Sequence, residues 1–207
     1  MKSATSSKCS LSNIQKRIDD STEYYPLLDY SFRGADKIEE AVSAEPRVVP
    51  GATNVIKEGY RYHSYGINLN HNNLNGSLDT LPNFVQMTFI NPHAFSIIDL
   101  SFNLFTEIPI AITQFSSLKY FYFHKNLLRN LKDIEKLVSL KELKHLTLYR
   151  NPIEDDIPYL RFYVLCLLPG LQSLNHVPVS KGDLKTSGIW QQMNKILRPK
   201  ILNKISK

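Results

Sequence analysis

Residues 118–153 read LKYFYFHKNLLRNLKDIEKLVSLKELKHLTLYRNPI, and one short pattern occurs there twice. Leu118, Phe121, Phe123, Asn126 and Leu128 fill the spacing L-x-x-L-x-L-x-x-N-x-L; Leu143, Leu146, Leu148, Asn151 and Ile153 fill it again 25 residues later. A fixed period of roughly 20–50 residues marks a chain that stacks one structural unit on the next. Within L-x-L the side chains of a strand alternate, so the apolar residues enter a core and the intervening ones face outward. The asparagine follows where the chain turns. Its amide offers an acceptor and donors to backbone groups that would otherwise be orphaned.

Working outward, Ile67, Leu69, Asn72 and Leu74 form an earlier copy, with Ser64 in place of its first leucine, and Phe95, Ile98, Leu100, Asn103 and Phe105 form the next. Asn72, Asn103, Asn126 and Asn151 stand 31, 23 and 25 residues apart and are read as a structural asparagine ladder. The longest interval falls within Gly76–Ala94, where Thr80 and Pro82 can start a convex helix. Between the strands the apolar period changes to three, as in Leu128, Leu131, Ile134, Leu137, Leu140 and Leu143. That spacing suits short α or 3-10 turns with one buried stripe. The expected fold is α/β: a right-handed leucine-rich-repeat solenoid of about four to five repeats. It has a parallel concave β-sheet, a convex wall of α and 3-10 segments, and a C-terminal cap helix.

A solenoid needs a cap because its last open face would expose the core. Ile157, Leu160, Tyr163, Val164 and Leu167 supply an apolar helical stripe, and Pro169-Gly170 ends it. Ile189, Trp190, Met193, Ile196 and Leu197 predict an amphipathic helix from near Thr186, with Trp190 as its anchor. At the other end, residues 1–23 are expected to be a flexible tail. Tyr24–Arg33 reads as a strap laying Tyr24, Leu27, Tyr30 and Phe32 onto the domain, or as a docking peptide. A short helix is expected over Asp36–Ala44, stopped by Pro46. Residues 46–59 read as linker or edge strap. The expected organisation is thus tail 1–23, strap 24–59, repeat domain 60–180, and helix with basic tail 181–207.

Charge is unevenly placed. The formal net charge is +6, and residues 181–207 hold seven bases against one acid, leaving 18 bases and 18 acids in residues 1–180. Lys195, Arg198, Lys200, Lys204 and Lys207 are candidate contacts to an acidic partner, held by screened electrostatics. Met1–Ser21 lacks the basic-then-apolar order of a signal peptide, and the run Phe162–Leu168 is too short to cross a bilayer. The two cysteines, Cys9 and Cys166, suggest no cysteine-rich cap, so a reducing, cytoplasmic setting is expected.

Catalysis finds almost no support. There is no glycine-rich phosphate loop, nucleophile elbow or C-x-x-C, and the six histidines lack metal-ligand spacing. Repeat register sets His124 beside Tyr149 and His145 beside Tyr120, which leaves the two histidines roughly 13 Å apart along the strands. Asp155 and Asp156 read as a solvated turn. The concave positions are Gly66, Asn68, Asn70; Ile97, Asp99, Ser101; Tyr120, Tyr122, His124; and His145, Thr147, Tyr149. The last two rows combine apolar area with polar tips, a composition favoured at protein interfaces. The candidate protein-binding site is therefore Tyr120, Tyr122, His124, His145, Thr147 and Tyr149.

Longer blocks carry a resemblance. PLLDYSFR (26–33), AEPR (44–47), IDLSFN (98–103), LTLYRNP (146–152), YVLCLLPGL (163–171) and IWQQMN (189–194) occur in this order. Together they resemble the leucine-rich repeat-containing protein 51 family over roughly residues 26–197; the departures fall at 48–64 and in the tyrosine-rich third strand. The resemblance implies a small cytoplasmic, non-enzymatic repeat protein of ciliated cells, suited to an axonemal or microtubule-associated scaffold. The expected partners are other proteins, axonemal proteins or tubulin among them. No cofactor, small-molecule substrate, membrane or nucleic acid is expected. The second reading is a regulatory subunit docking onto an enzyme such as a protein phosphatase.

Overall fold

A computed structural model describes residues 26–48 and 55–195. Its centre is a seven-stranded sheet in which neighbouring strands follow chain order, interrupted only by a small hairpin. The strands are β1 (Leu28–Asp29), β4 (Gly66–Asn68), β5 (Ile97–Asp99), β6 (Tyr120–Tyr122), β7 (His145–Thr147), β8 (Ser173–Leu174) and β9 (Val177–Pro178). All pair in parallel except β8 with β9. Parallel neighbours joined over one face wind right-handed, which gives the solenoid its hand.

The repeated leucine positions explain the core. Leu28, Ile67, Ile98, Phe121, Leu146 and Leu174 lie opposite one another across the sheet and are buried. Tyr30, Leu69, Leu100, Phe123 and Leu148 form the next buried row, and Ala35, Leu74, Phe105, Leu128 and Ile153 a third. The convex side carries the helix α2 (Leu81–Thr88), a 3-10 turn (Ile110–Gln114), and α3 (Lys132–Glu135) continuing into a 3-10 turn (Lys136–Ser139). Its inner stripe is buried at Phe105, Ile108, Ile112, Phe115 and Leu118, with Phe95 and Phe115 at 4.7 Å between ring centres.

The asparagine ladder forms at all four expected positions. Asn126 is representative: its amide nitrogen donates to the carbonyls of Leu100 (2.9 Å) and Phe123 (3.2 Å), and its oxygen accepts the Phe105 N–H (3.1 Å). Asn72, Asn103 and Asn151 repeat this, each donating to one carbonyl of its own coil and one of the coil before. The residue before each asparagine takes a positive φ: His71, Phe102, Lys125 and Arg150. The ladder also has a member that the repeat spacing does not announce. Asn175 Oδ1 accepts the Leu148 N–H at 2.7 Å, although Asn175 follows Leu174 directly.

The strap is itself an incomplete repeat. LDYSFR (28–33) matches IDLSFN (98–103) position for position, Phe32 has the positive φ of Phe102, and Arg33 replaces the asparagine. The inward residues are therefore Leu28 and Tyr30, whereas Leu27 lies against Gly66 on the concave side and Phe32 is 64% exposed. Tyr24 lies outside the described residues. Arg33 does by guanidinium what asparagine does by amide: it donates to the carbonyls of Ala41 (3.0 Å), Ala44 (3.3 Å) and Glu45. These hold the short helix α1 (Ile38–Ala41) and the segment after it. The Arg47 N–H donates to the Asp29 carbonyl at 2.7 Å, so the outer edge of β1 is covered rather than open.

Three further details differ from the pattern. Strands β2 (Ile56–Glu58) and β3 (Arg61–His63) make an antiparallel hairpin turning at Gly59, so the boundary expected between 59 and 60 is bridged by hydrogen bonds. Ser64 replaces the first leucine because its hydroxyl donates to the Pro26 carbonyl (2.9 Å), tying the strap down. The last helix, α6 (Lys181–Lys195), begins five residues ahead of the expected start near Thr186. Ser180 and Asp183 cap it reciprocally: Asp183 Oδ2 accepts the Ser180 N–H and Ser180 Oγ accepts the Asp183 N–H. It packs on α5 (Leu160–Leu167), with Tyr163 and Trp190 edge to face at 6.4 Å. The helix α4 (Pro152–Asp156) precedes α5 and ends in the exposed Asp155 and Asp156, the latter 3.1 Å from Arg129. No helix of the described residues is long and apolar enough to cross a membrane.

Candidate functional site

Strand register assembles the concave wall. Gly66, Ile97, Tyr120, His145 and Ser173 form one row; Asn68, Asp99, Tyr122 and Thr147 form the next. The rings of Tyr120 and His145 stack at 4.3 Å with 6° between their planes, and those of His124 and Tyr149 at 4.4 Å with 8°. These are the neighbours that the period of 25 residues dictates. Tyr122 meets a partner that the pattern did not indicate, His176, at 6.0 Å. His176 also lies 5.9 Å from Tyr149 and 6.2 Å from His124, which closes the far end of the wall. It arrives there because Asn175 and His176 both take positive φ, a turn that no repeat spacing encodes.

The six candidates divide by exposure. Thr147 is 2% exposed and His124 9%, so these two support the wall from beneath, while Tyr120, Tyr122, His145 and Tyr149 are half-buried and His176 is exposed. Thr147 Oγ1 accepts the Phe123 N–H (3.2 Å) and lies 2.9 Å from His124 Nδ1. With the hydroxyl proton turned to Nδ1, His124 is a neutral imidazole. Burial pushes His124 below the usual imidazole range, and Lys125, His71 and His176 add to this against the opposing pull of Asp99. Burial alone lowers His145.

The other half of the concave face is small and polar. Asp99 Oδ1 accepts the N–H (2.9 Å) and hydroxyl (2.6 Å) of Ser101, and its Oδ2 accepts from Asn70 Nδ2 (3.0 Å). Asp29 accepts the Ser31 N–H at 2.8 Å. These carboxylates brace their own turns. Along the downstream rim, the positive-φ residues stack in series: Phe32 on His71 at 4.3 Å, His71 on Phe102 at 3.9 Å, with Lys125 Nζ 4.0 Å above Phe102.

Catalytic geometry is incomplete. His145 Nδ1 lies 2.8 Å from Ser173 Oγ, the separation of a nucleophile and its base. Among the described residues no carboxylate is hydrogen-bonded to His145 to orient it, and Tyr120 occupies its face. Among the same residues no group of three His, Cys, Asp or Glu is placed to hold a metal ion. Lys195 is the last residue of α6, and Arg198, Lys200, Lys204 and Lys207 lie outside the described residues.

Curated relatives share sequence with most of this chain. Leucine-rich repeat-containing protein 51 of Rattus norvegicus is 37% identical over 175 residues, covering 84% of this chain and 88% of the rat protein. The chain belongs to the leucine-rich repeat-containing protein 51 family. The proteins of that name from Bos taurus and Homo sapiens are 36% and 35% identical over the same coverage. No family model matches the chain. Among solved structures, one of the Drosophila melanogaster SNF/U2A' complex aligns at a TM-score of 0.53 with 22% identity, covering 65% of this chain and 74% of that one. That likeness establishes the repeat fold alone. The family and the fold fit a protein-interaction scaffold. The wall of Tyr120, Tyr122, His145 and Tyr149 occupies the concave face.

Proposed function

We propose that this family member is a non-catalytic protein-binding adaptor whose recognition surface is the aromatic half of its concave face. One observation carries the reading: four half-buried tyrosine and histidine side chains from two adjacent coils form a continuous wall on the concave face, with His176 at its far end. Rings locked by lateral stacking lose little conformational freedom on binding, which favours them as anchors. The finer reading is an axonemal or microtubule-associated scaffold in the cytoplasm of ciliated cells, and its support is the family resemblance.

The test is affinity capture from ciliated-cell extract with the full chain and with Tyr122→Ala combined with Tyr149→Ala. The expected result is loss of specific partners with an unchanged melting curve. Identical partners at normal stability would exclude the concave site. Recovery of an enzyme's catalytic subunit in place of axonemal proteins would favour the regulatory-subunit reading.

A further inference from the structure

We infer that the wall on β6 and β7 receives an acidic segment of a partner protein, its carboxylates held by Lys119, Lys125, Lys144 and Arg150 at the four corners. This rests on the concave-face reading and names the chemistry of its occupant. Lys119 and Lys144 immediately precede β6 and β7 and adjoin one another, since the N–H of Lys144 donates to the Lys119 carbonyl at 2.9 Å. Lys125 and Arg150 close the same two coils, with the Lys125 N–H donating to the Tyr149 carbonyl at 3.0 Å. Each rim thus carries two basic residues whose main chains lie about one strand spacing apart, roughly 4.8 Å, and Lys125 Nζ lies 4.0 Å from the Phe102 ring centre. None of the four is ion-paired among the described residues. Glu154 accepts the main-chain N–H of Arg150 at 2.8 Å, and Arg150 is exposed. No Asp or Glu occupies a wall position of β6, β7 or β8.

Ring orientation selects among charged partners. Tyr120 with His145 and His124 with Tyr149 each spend one ring face on the other, at 6° and 8°. Rings stacked sideways on a sheet stand upright and turn their edges outward. The edge of an aromatic ring is the positive part of its quadrupole, and the hydroxyl of tyrosine and N–H of histidine are donors. Such a surface favours carboxylates. Each stacked ring has one face spent on its neighbour, unlike the open aromatic platforms of single-strand nucleic-acid binders. Asp29 and Asp99, on the other half of the concave face, confine an acidic segment to the β6–β8 side.

The experiment uses the full chain and a labelled polyglutamate peptide of about twelve residues, long enough to cross both rims. Anisotropy is read at low salt, with polylysine and a uridine oligonucleotide of like length as controls. Replacing all four corner cations by Gln (Lys119→Gln, Lys125→Gln, Lys144→Gln, Arg150→Gln) is expected to weaken binding about tenfold, and added salt to do the same. Neutralising Lys195, Arg198, Lys200 and Lys204, the rival contacts to an acidic partner, is expected to weaken it less than the corner change does. Wild-type affinity in the corner variant, a greater loss in the tail variant than in the corner variant, or tighter binding of the oligonucleotide overturns the inference. Should the fourfold change unfold the chain, the pairs Lys119→Gln with Lys144→Gln and Lys125→Gln with Arg150→Gln carry the test, each weakening binding about threefold. If the tyrosine pair releases natural partners while the corner variant retains them, the concave site stands and its acidic specificity falls. If neither changes capture, both fall.

Discussion

The rings of His124 and Tyr149 lie face to face, 4.4 Å apart and 8° from parallel, although 25 residues separate them in the chain. That separation is one repeat, so the stack follows from register. It also buries His124 against Thr147, which has a consequence for pH.

His124 and His145 both have folded-state pKa values lowered by burial. The unfolded chain therefore binds protons more readily, and stability rises with pH across the interval between the two states. The contribution is complete above the unfolded value, about 6.5, and is lost as pH falls below it. Urea titrations from neutral to mildly acidic pH are expected to show this decline. His124→Gln, which keeps an acceptor toward Thr147, should flatten it. An equal slope in that variant would show that His124 does not carry the effect.

Asn126→Ala removes three buried hydrogen bonds, to Leu100, Phe123 and Phe105, in one step. The stranded backbone groups make a loss of about 2–4 kcal/mol the expected outcome in chemical denaturation. Asn126→Asp should also destabilise, because a carboxylate has no donor for the two carbonyls. A change near zero in either would count against the ladder.

Gly66 admits no side chain. A Cβ there would meet the Ile97 carbonyl oxygen, Ile97 Cβ at 2.6 Å and Leu27 Cδ2 at 2.9 Å. Since the obstacle includes main chain, Gly66→Ala should cost about 2–3 kcal/mol and loosen the junction of β1, β4 and β5. Hydrogen exchange should show this as faster exchange at Tyr30 and Leu69, whose N–H groups bond across that junction. Unchanged protection would place the strain elsewhere.

Arg33→Ala deletes the fork that joins the carbonyls of Ala41, Ala44 and Glu45. The strap segment 33–48 should become sensitive to protease while the later repeats stay resistant, with a global loss of about 1–3 kcal/mol. Arg33→Asn restores the repeat consensus yet is too short to reach those three carbonyls, so it should not rescue. Wild-type resistance in Arg33→Ala would mean that Arg47 suffices to hold the edge.

The fold was legible because its determinants are local and periodic. Apolar residues at the spacing of Phe121, Phe123 and Leu128 fix which side chains enter the core, and equal spacing in the next coil fixes the register. Tyr120 beside His145 and His124 beside Tyr149 follow from arithmetic on the sequence. The ends were less legible because the pattern lapses where a repeat has only one neighbour. LDYSFR carries the apolar spacing of a repeat, but Arg33 hides it from a search for asparagine. The early start of α6 depends on Ser180 and Asp183, a local signal that the apolar stripe of Ile189, Trp190 and Met193 overshadows.

By itself, the sequence determined the solenoid, its asparagine ladder and the rows of its concave face, since these need only a constant period. Tertiary structure decided which of those residues a partner can reach. Thr147 and His124 sink beneath the wall because their polar atoms bond each other and the Phe123 N–H. His176 joins the wall because two consecutive left-handed residues swing it across the end of the sheet. Those outcomes arise from contacts between coils, and no spacing within a single coil contains them.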